Sequence, residues 1–151
     1  MVISIRKGKS WERDMANLLT KQLGVKFHRV PMSGGFASVN KSEDSRFCGD
    51  VFTEDETYKN YVIECKSYKD FGFNDFFKEK SNLYKWIKQS EDESGDKEWL
   101  LFIKIKNKGR YVIVEDMETF NYFFRSRFLF NELEIKIEAN NKTYYMFEMK
   151  C

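Results

Sequence analysis

The segment Tyr61-Val62-Ile63-Glu64-Cys65-Lys66 sets a carboxylate and an ammonium two positions apart in an otherwise apolar run, fourteen residues after the Asp50 of Gly49-Asp50. It reads as a short strand. Successive side chains of a strand point to opposite faces, so Tyr61, Ile63 and Cys65 share one face and Val62, Glu64 and Lys66 the other. The first face is apolar and belongs against a core. The second brings Glu64 and Lys66 together, their backbones roughly 6–7 Å apart. A carboxylate there can hold a hard divalent cation while the ammonium faces the same phosphate or water. An exposed strand of any half-solvated sheet can look the same, so the rest of the chain has to decide.

With 151 residues, 42% hydrophobic and 17% aromatic, the chain can bury one good core, and a single domain spanning 1–151 is expected. Its 26 basic and 24 acidic residues leave +2, too little to announce a nucleic-acid partner by net charge alone. The distribution is uneven: cations cluster in Arg6-Lys7-Gly8-Lys9 and at Lys78, Lys80, Lys85 and Lys88, while Glu54-Asp55-Glu56 and Glu91-Asp92-Glu93 read as solvated turns. No run of 18 apolar residues and no apolar stretch behind a basic N-terminus is present, so a soluble, cytoplasmic protein without membrane association is expected. Cys48, Cys65 and Cys151 have no C-x-x-C spacing, which argues against a disulfide framework or a structural zinc. Cys65 reads as a small core residue. Richness in Lys, Asn and Phe hints at an AT-rich genome such as a phage's.

The pattern predicts a helix from Ser10 to about Leu23, with Trp11, Met15, Leu18 and Gln22 or Leu23 at helical spacing, Ser10 as cap and Gly24 as terminator. A strand over Val25–Val30 follows, stopped by the sole proline, Pro31. The loop Met32–Arg46 is long for a compact domain and could fold over a substrate. Phe47–Phe52 and Lys59–Lys66 then form a hairpin, and Asn74–Ser90 a second helix. Lys80 falls in that helix's apolar arc, either snorkelling or lining a cleft. After a polar stretch from Glu91 to Lys97 come strands Trp99–Ile105 and Arg110–Val114, a helix Met117–Arg127, and strands Glu132–Glu138 and Thr143–Met149. The order is helix, three strands, helix, two strands, helix, hairpin: an α/β chain around one sheet.

Two further acids can be placed. Glu12 opens the row Glu12, Ala16, Leu19, Leu23, so a carboxylate begins a row that faces the sheet; alternatively it is a charge welcomed by a helix N-terminus. Asp50 can equally be a strand-end or turn aspartate. His28, the only histidine, reads as a structural strand residue, and nothing supports a Ser-His-Asp triad. Without a His or Cys cluster, oxygen ligands favour magnesium or manganese over zinc.

Taken in order, Lys7-Gly8-Lys9-Ser10-Trp11-Glu12-Arg13, Arg29-Val30-Pro31-Met32-Ser33-Gly34-Gly35, Gly49-Asp50-Val51 and Ile63-Glu64-Cys65-Lys66 resemble the motifs of the PD-(D/E)XK nuclease superfamily. Within it, they are similar to the archaeal-type and phage Holliday junction resolvases. The resemblance covers roughly the first ninety residues. It implies a restriction-endonuclease-like core, a central mixed β-sheet flanked by helices. It also implies that Asp50 and Glu64 are the main ligands of Mg2+ or Mn2+, with the backbone carbonyl of Cys65, and that Glu12 acts directly or through a water. Lys66 would orient or help deprotonate the attacking water and stabilise charge growing on the phosphate. Arg13 and Ser33 match positions that help hold DNA, and Gln89 resembles a glutamine in the following helix of some relatives. Two departures are visible: Gly49 stands where proline is expected, and the loop between Ser33 and Asp50 is longer than in the compact resolvases.

DNA contacts are expected mostly at phosphates, from Arg6, Lys7, Lys9 and Arg13, with the second helix's lysines as a flank. Gly34 and Gly35 would let the backbone approach a sugar-phosphate strand, unless they merely loosen the loop. No base-reading helix-turn-helix or zinc finger is evident, which favours recognition of branched shape over sequence. Two symmetrical cuts at a junction imply a twofold homodimer. Phe120, Phe123, Phe124, Phe128 and Phe130 either supply its surface or fill the core under the last hairpin. The expected activity is a metal-dependent, structure-selective DNA endonuclease, with junction resolvase leading. The alternatives are a restriction-type, nicking or repair endonuclease on linear duplex, and a DNA-binding module that kept the fold without catalysis. The intact Asp50, Glu64 and Lys66 argue against the last.

Overall fold

Trp99-Leu100-Leu101-Phe102-Ile103 is apolar at every position, as a strand is when both its faces are covered. In the computed structural model, which describes residues 2–31, 49–69, 82–106, 108–115, 117–121, 130–139 and 141–150, this run lies within β4 (Glu98–Ile105). Strand β4 is the middle member of a seven-stranded sheet of order β1-β2-β3-β4-β5-β7-β6. The others are β1 (His28–Arg29), β2 (Val51–Phe52), β3 (Tyr61–Tyr68), β5 (Gly109–Val114), β6 (Phe130–Ala139) and β7 (Lys142–Met149). Pairing is antiparallel throughout except between β3 and β4, which run parallel from Tyr61↔Glu98 to Tyr68↔Ile105. A parallel pair needs a crossover, and helix α2 (Asn82–Ser94) lies in that connection.

Two cores result from the alternation. Tyr61, Ile63, Cys65, Leu100, Phe102, Val112, Val114 and Phe147 pack with Trp11, Met15 and Leu19 of helix α1 (Val2–Leu23). Val62, Trp99, Leu101, Ile103, Ile113 and Met146 pack with Leu83 and Ile87 of α2. This mixed sheet with helices on both faces is the restriction-endonuclease-like core that the motifs implied. Phe102 is 1% exposed, so Phe102→Ala should cost about 3–5 kcal/mol, read as a lower urea midpoint at unchanged slope. A loss under about 1 kcal/mol would mean that α1 does not rest on this strand.

Several expectations need correction. Helix α1 starts at Val2, so Ser10 is an exposed residue inside it and not its cap. Gly8 does not break it, since one glycine costs a helix only about 1 kcal/mol. The C-terminal end is as expected: Gly24, at φ +75°, donates its N–H to the Thr20 carbonyl at 3.0 Å. Helix α2 continues past Ser90 to Ser94, and the supposed solvated turn Glu91-Asp92-Glu93 is its last full turn. Ser90 and Ser94 can be buried there because their hydroxyls donate back to the Trp86 and Glu91 carbonyls at 3.0 and 2.9 Å. Glu91 in turn ties α2 to β7, accepting from Tyr144 Oη at 2.9 Å and from Lys142 Nζ at 3.1 Å. The first strand is shorter than expected, only His28–Arg29. Helix α3 is described over Met117–Phe120. Phe120 is 1% exposed and stacks on Phe147 at 4.9 Å, which makes it a core residue and not a dimer surface. The expected loop 32–46, the start of the second helix at 74–81 with Lys78 and Lys80, and Phe123, Phe124 and Phe128 lie outside the described residues, as does the side chain of Phe130. No described helix is long and apolar enough to cross a membrane.

Candidate active site

Asp50 is fixed by the backbone before its side chain does anything. Its N–H donates to the Ile63 carbonyl at 2.8 Å and its own carbonyl accepts from Val30 N–H at 2.8 Å, locking it between β1 and β3. The preceding Gly49 has φ +84°, and a Cβ there would stand 2.7 Å from the Ile63 carbonyl oxygen. Glycine is therefore what the turn requires. So placed, Asp50 accepts the Cys65 N–H on Oδ2 at 2.8 Å. A strand residue's N–H and C=O point to the same side, so the Cys65 carbonyl also opens toward Asp50.

Glu64 lies on the α2 side of β3 and is 1% exposed. Both faces of β3 are covered at this point, which excludes the half-solvated strand. Among the described residues no N–H or O–H donor reaches either Glu64 carboxylate oxygen; Lys66 Nζ stands 4.0 Å from Oε2, with a quarter of its side chain exposed. Burial first, and then the Asp50 charge, push the Glu64 carboxyl well above its ordinary value. Burial also raises Asp50, against the opposing Cys65 N–H and Lys66.

Glu64 also meets Glu93 of α2. Burial acts to raise Glu93, but hydrogen bonds with Glu64 and Gln89, the Lys66 charge and the Gly49 N–H together hold it below the usual range. Of the two facing acids, Glu64 is the one pushed up and Glu93 the one held down. Gln89 Nε2 donates to Glu93 Oε1 at 3.0 Å, which connects Gln89 to the site through that carboxylate.

Glu12 occupies the middle of α1, so the macrodipole reading falls, and the row Glu12, Ala16, Leu19, Leu23 is buried throughout as expected. Its Oε2 lies 3.8 Å from Arg29 Nη1. Glu12 approaches from the α1 side, where the Cys65 thiol also lies. That thiol is raised well above its ordinary value, by burial first and then by Asp50, Glu64 and Glu12. Among the described residues no three His, Cys, Asp or Glu side chains close on one point as metal ligands. The structure brings together Asp50, Glu64, the Cys65 backbone and Lys66, with Glu12 behind them. Lys9 and Arg13 are exposed on α1. The side chains of Arg6 and Lys7, and all of Ser33, Gly34 and Gly35, lie outside the described residues. His28 is a strand residue against Phe52, with ring centroids 5.4 Å apart.

Two residues of this site escape the sequence-based set. Arg29 ends the strand of the second motif, and that position was its signal. Glu93 stands four residues after Gln89, and the helical spacing Leu83, Ile87, Ser90, Ser94 would have kept it in the helix had buried serines been admitted to the pattern. Two further cations, Lys104 and Arg110, face each other across β4 and β5 and lie 6.0 and 5.4 Å from the Trp11 ring centroid.

An aspartate followed by a strand carrying Glu-x-Lys is the motif of the PD-(D/E)XK nucleases, and Asp50, Glu64 and Lys66 stand in that order on β2's turn and β3. Residues 4–150 match the family described as "Phage putative PDDEXK endonuclease", and the chain belongs to it. It is similar to Protein D14 of Escherichia phage T5, with 28% identity over 145 residues that cover 90% of this chain and 87% of that protein. A phage relative agrees with the composition. No solved structure matches the chain.

Proposed function

We propose that this chain is a divalent-cation-dependent endodeoxyribonuclease acting on branched DNA, a Holliday junction resolvase that works as a twofold homodimer. The observation that carries the catalytic part is Glu64. A carboxylate buried this deeply, with no N–H or O–H donor from the described residues at either oxygen, is costly unless a proton or a cation meets it. The set around it is built of oxygens, which suits magnesium or manganese and not zinc.

Asp50, Glu64 and the Cys65 carbonyl would hold the ion, with Glu12 reaching it through a water. A bound divalent ion supplies charge neutralisation at the phosphate and a lowered pKa for water. Lys66, on the same face as Glu64, orients the attacking water and faces the phosphate. Lys9, Arg13, Lys104 and Arg110, with Arg6 and Lys7, offer phosphate contacts that steepen the dependence on salt. The branched substrate is favoured by the motif order shared with resolvases and by the want of any base-reading motif. Cutting a junction symmetrically needs two sites related by a twofold axis.

The test is cleavage of a synthetic four-way junction beside matched linear duplex and single strand, in magnesium or in EDTA. Paired symmetrical nicks in the junction alone, lost in EDTA, are expected. Cutting of linear duplex would move the substrate to the restriction-type, nicking or repair classes, and binding without cleavage in any metal would sink the catalytic reading.

A further inference from the structure

On the α2 side the site contains a carboxylate that no motif assigns. Glu93 is half-buried, and its orientation is set by three neighbours: Gln89 Nε2 at 3.0 Å, the backbone N–H of Gly49, and Glu64 itself. The same glycine turn that places Asp50 therefore also places Glu93. A groove of about 500 Å3, lined by Tyr84, Lys85, Lys88, Gln89, Asp92 and Glu93, opens beside it. Glu93 meets Glu64 from the α2 side, and Asp50 and Lys66 also act on Glu64, the Lys66 Nζ at 4.0 Å from its Oε2. Like charges gathered this way oppose one another. Glu64 lies between the other two acids, and no N–H or O–H donor of the described residues reaches either of its oxygens.

We infer that Glu93 is a positioning residue for the cation, an acceptor on the α2 side for the hydration that the ion keeps, with Gln89 and the Gly49 N–H aiming it. This rests on the cation-dependent reading above. Magnesium takes one or two protein carboxylates and retains several waters, and ligand-supporting groups are as much a part of such a site as its ligands. An outer role also agrees with the geometry, since no three acidic side chains among the described residues close on one point. The groove lined by Glu93, Lys85 and Lys88 leaves open space beside that carboxylate.

Calorimetric titration of Mn2+ into the full chain, without DNA, tests this independently of cleavage. Wild type should bind, and Glu93→Gln, which keeps the shape and removes the charge, should bind about 10–100-fold more weakly. Gln89→Ala, which leaves the charge but loosens its aim, should weaken binding by a smaller factor. Wild-type affinity in Glu93→Gln would overturn the inference and leave the nuclease reading standing. Absence of Mn2+ binding by wild type would overturn both. If Glu93→Gln does not fold, Gln89→Ala decides: weakened binding supports the inference and unchanged binding overturns it.

Discussion

Glu64→Ala should reduce cation-dependent cleavage on the order of a thousandfold, the loss of about 4 kcal/mol of transition-state stabilisation. The companion substitution Glu64→Gln should be equally inactive and yet make the metal-free protein more stable. Its neutral amide removes the burial cost and can donate to the carboxylates of Asp50 and Glu93. A gain of about 1 kcal/mol would raise the melting point by roughly 2–4 °C in a chain of this length. The pH dependence follows from the same residue. The folded pKa of Glu64 is raised above its ordinary 4.5, so the folded state holds the proton more tightly than the unfolded one. Its contribution to stability is complete below that ordinary value and is lost as pH rises through the elevated folded value. Asp50 acts in the same sense. Glu93, whose pKa is lowered, acts in the opposite sense but is only half-buried. In chelator, wild type should therefore lose stability relative to Glu64→Gln from about pH 5 upward. Melting curves across mildly acidic to neutral pH measure it; a difference that is flat or of opposite slope would mean that burial does not raise the Glu64 carboxyl.

The second large effect is at Gly49. Alanine there must adopt φ +84° and place its Cβ 2.7 Å from a backbone oxygen, which together should cost about 3 kcal/mol. Asp50 is the next residue, and a displacement near 1 Å at a reacting group costs about a hundredfold in rate. Gly49→Pro would restore the letter that the superfamily motif carries, and it should be the worse of the two. Proline fixes φ near −65° and has no N–H, whereas this turn needs positive φ and gives its N–H to Glu93. Urea unfolding alongside cleavage separates the two losses. A stable, active Gly49→Pro would mean that the turn can be built another way.

Legibility in the sequence followed the strength of the local signal. The strand Tyr61–Lys66 and the apolar run of β4 were readable because period-2 alternation and continuous apolarity are each tied to one kind of burial. That Asp50 lies against the Glu-x-Lys strand was readable from spacing and motif order. Burial of Glu64 was not, because it depends on α2 packing over β3, which no feature of the strand itself announces. Residues Ser90 and Ser94 misled the reading of α2, since a hydroxyl that bonds back to its own helix can sit in a core while looking like a surface residue. Glu93 was lost with them. The early start of α1 was hidden by Gly8 and by Ser10, a good cap residue in a place where no cap was needed.

The four motifs end at Lys66, yet the pieces that give Glu64 its character come from much later in the chain. Phe102, Val112, Val114 and Phe147 support the far face of its sheet, and Tyr144 and Lys142 fasten the helix that carries Glu93. A fragment trimmed to the motif-bearing part would keep every catalytic letter and turn Glu64 into an ordinary solvated glutamate. A change at Tyr144 that loosened Glu91 would reach Glu93 through their shared helix, and to an assay it would look like damage to the site itself.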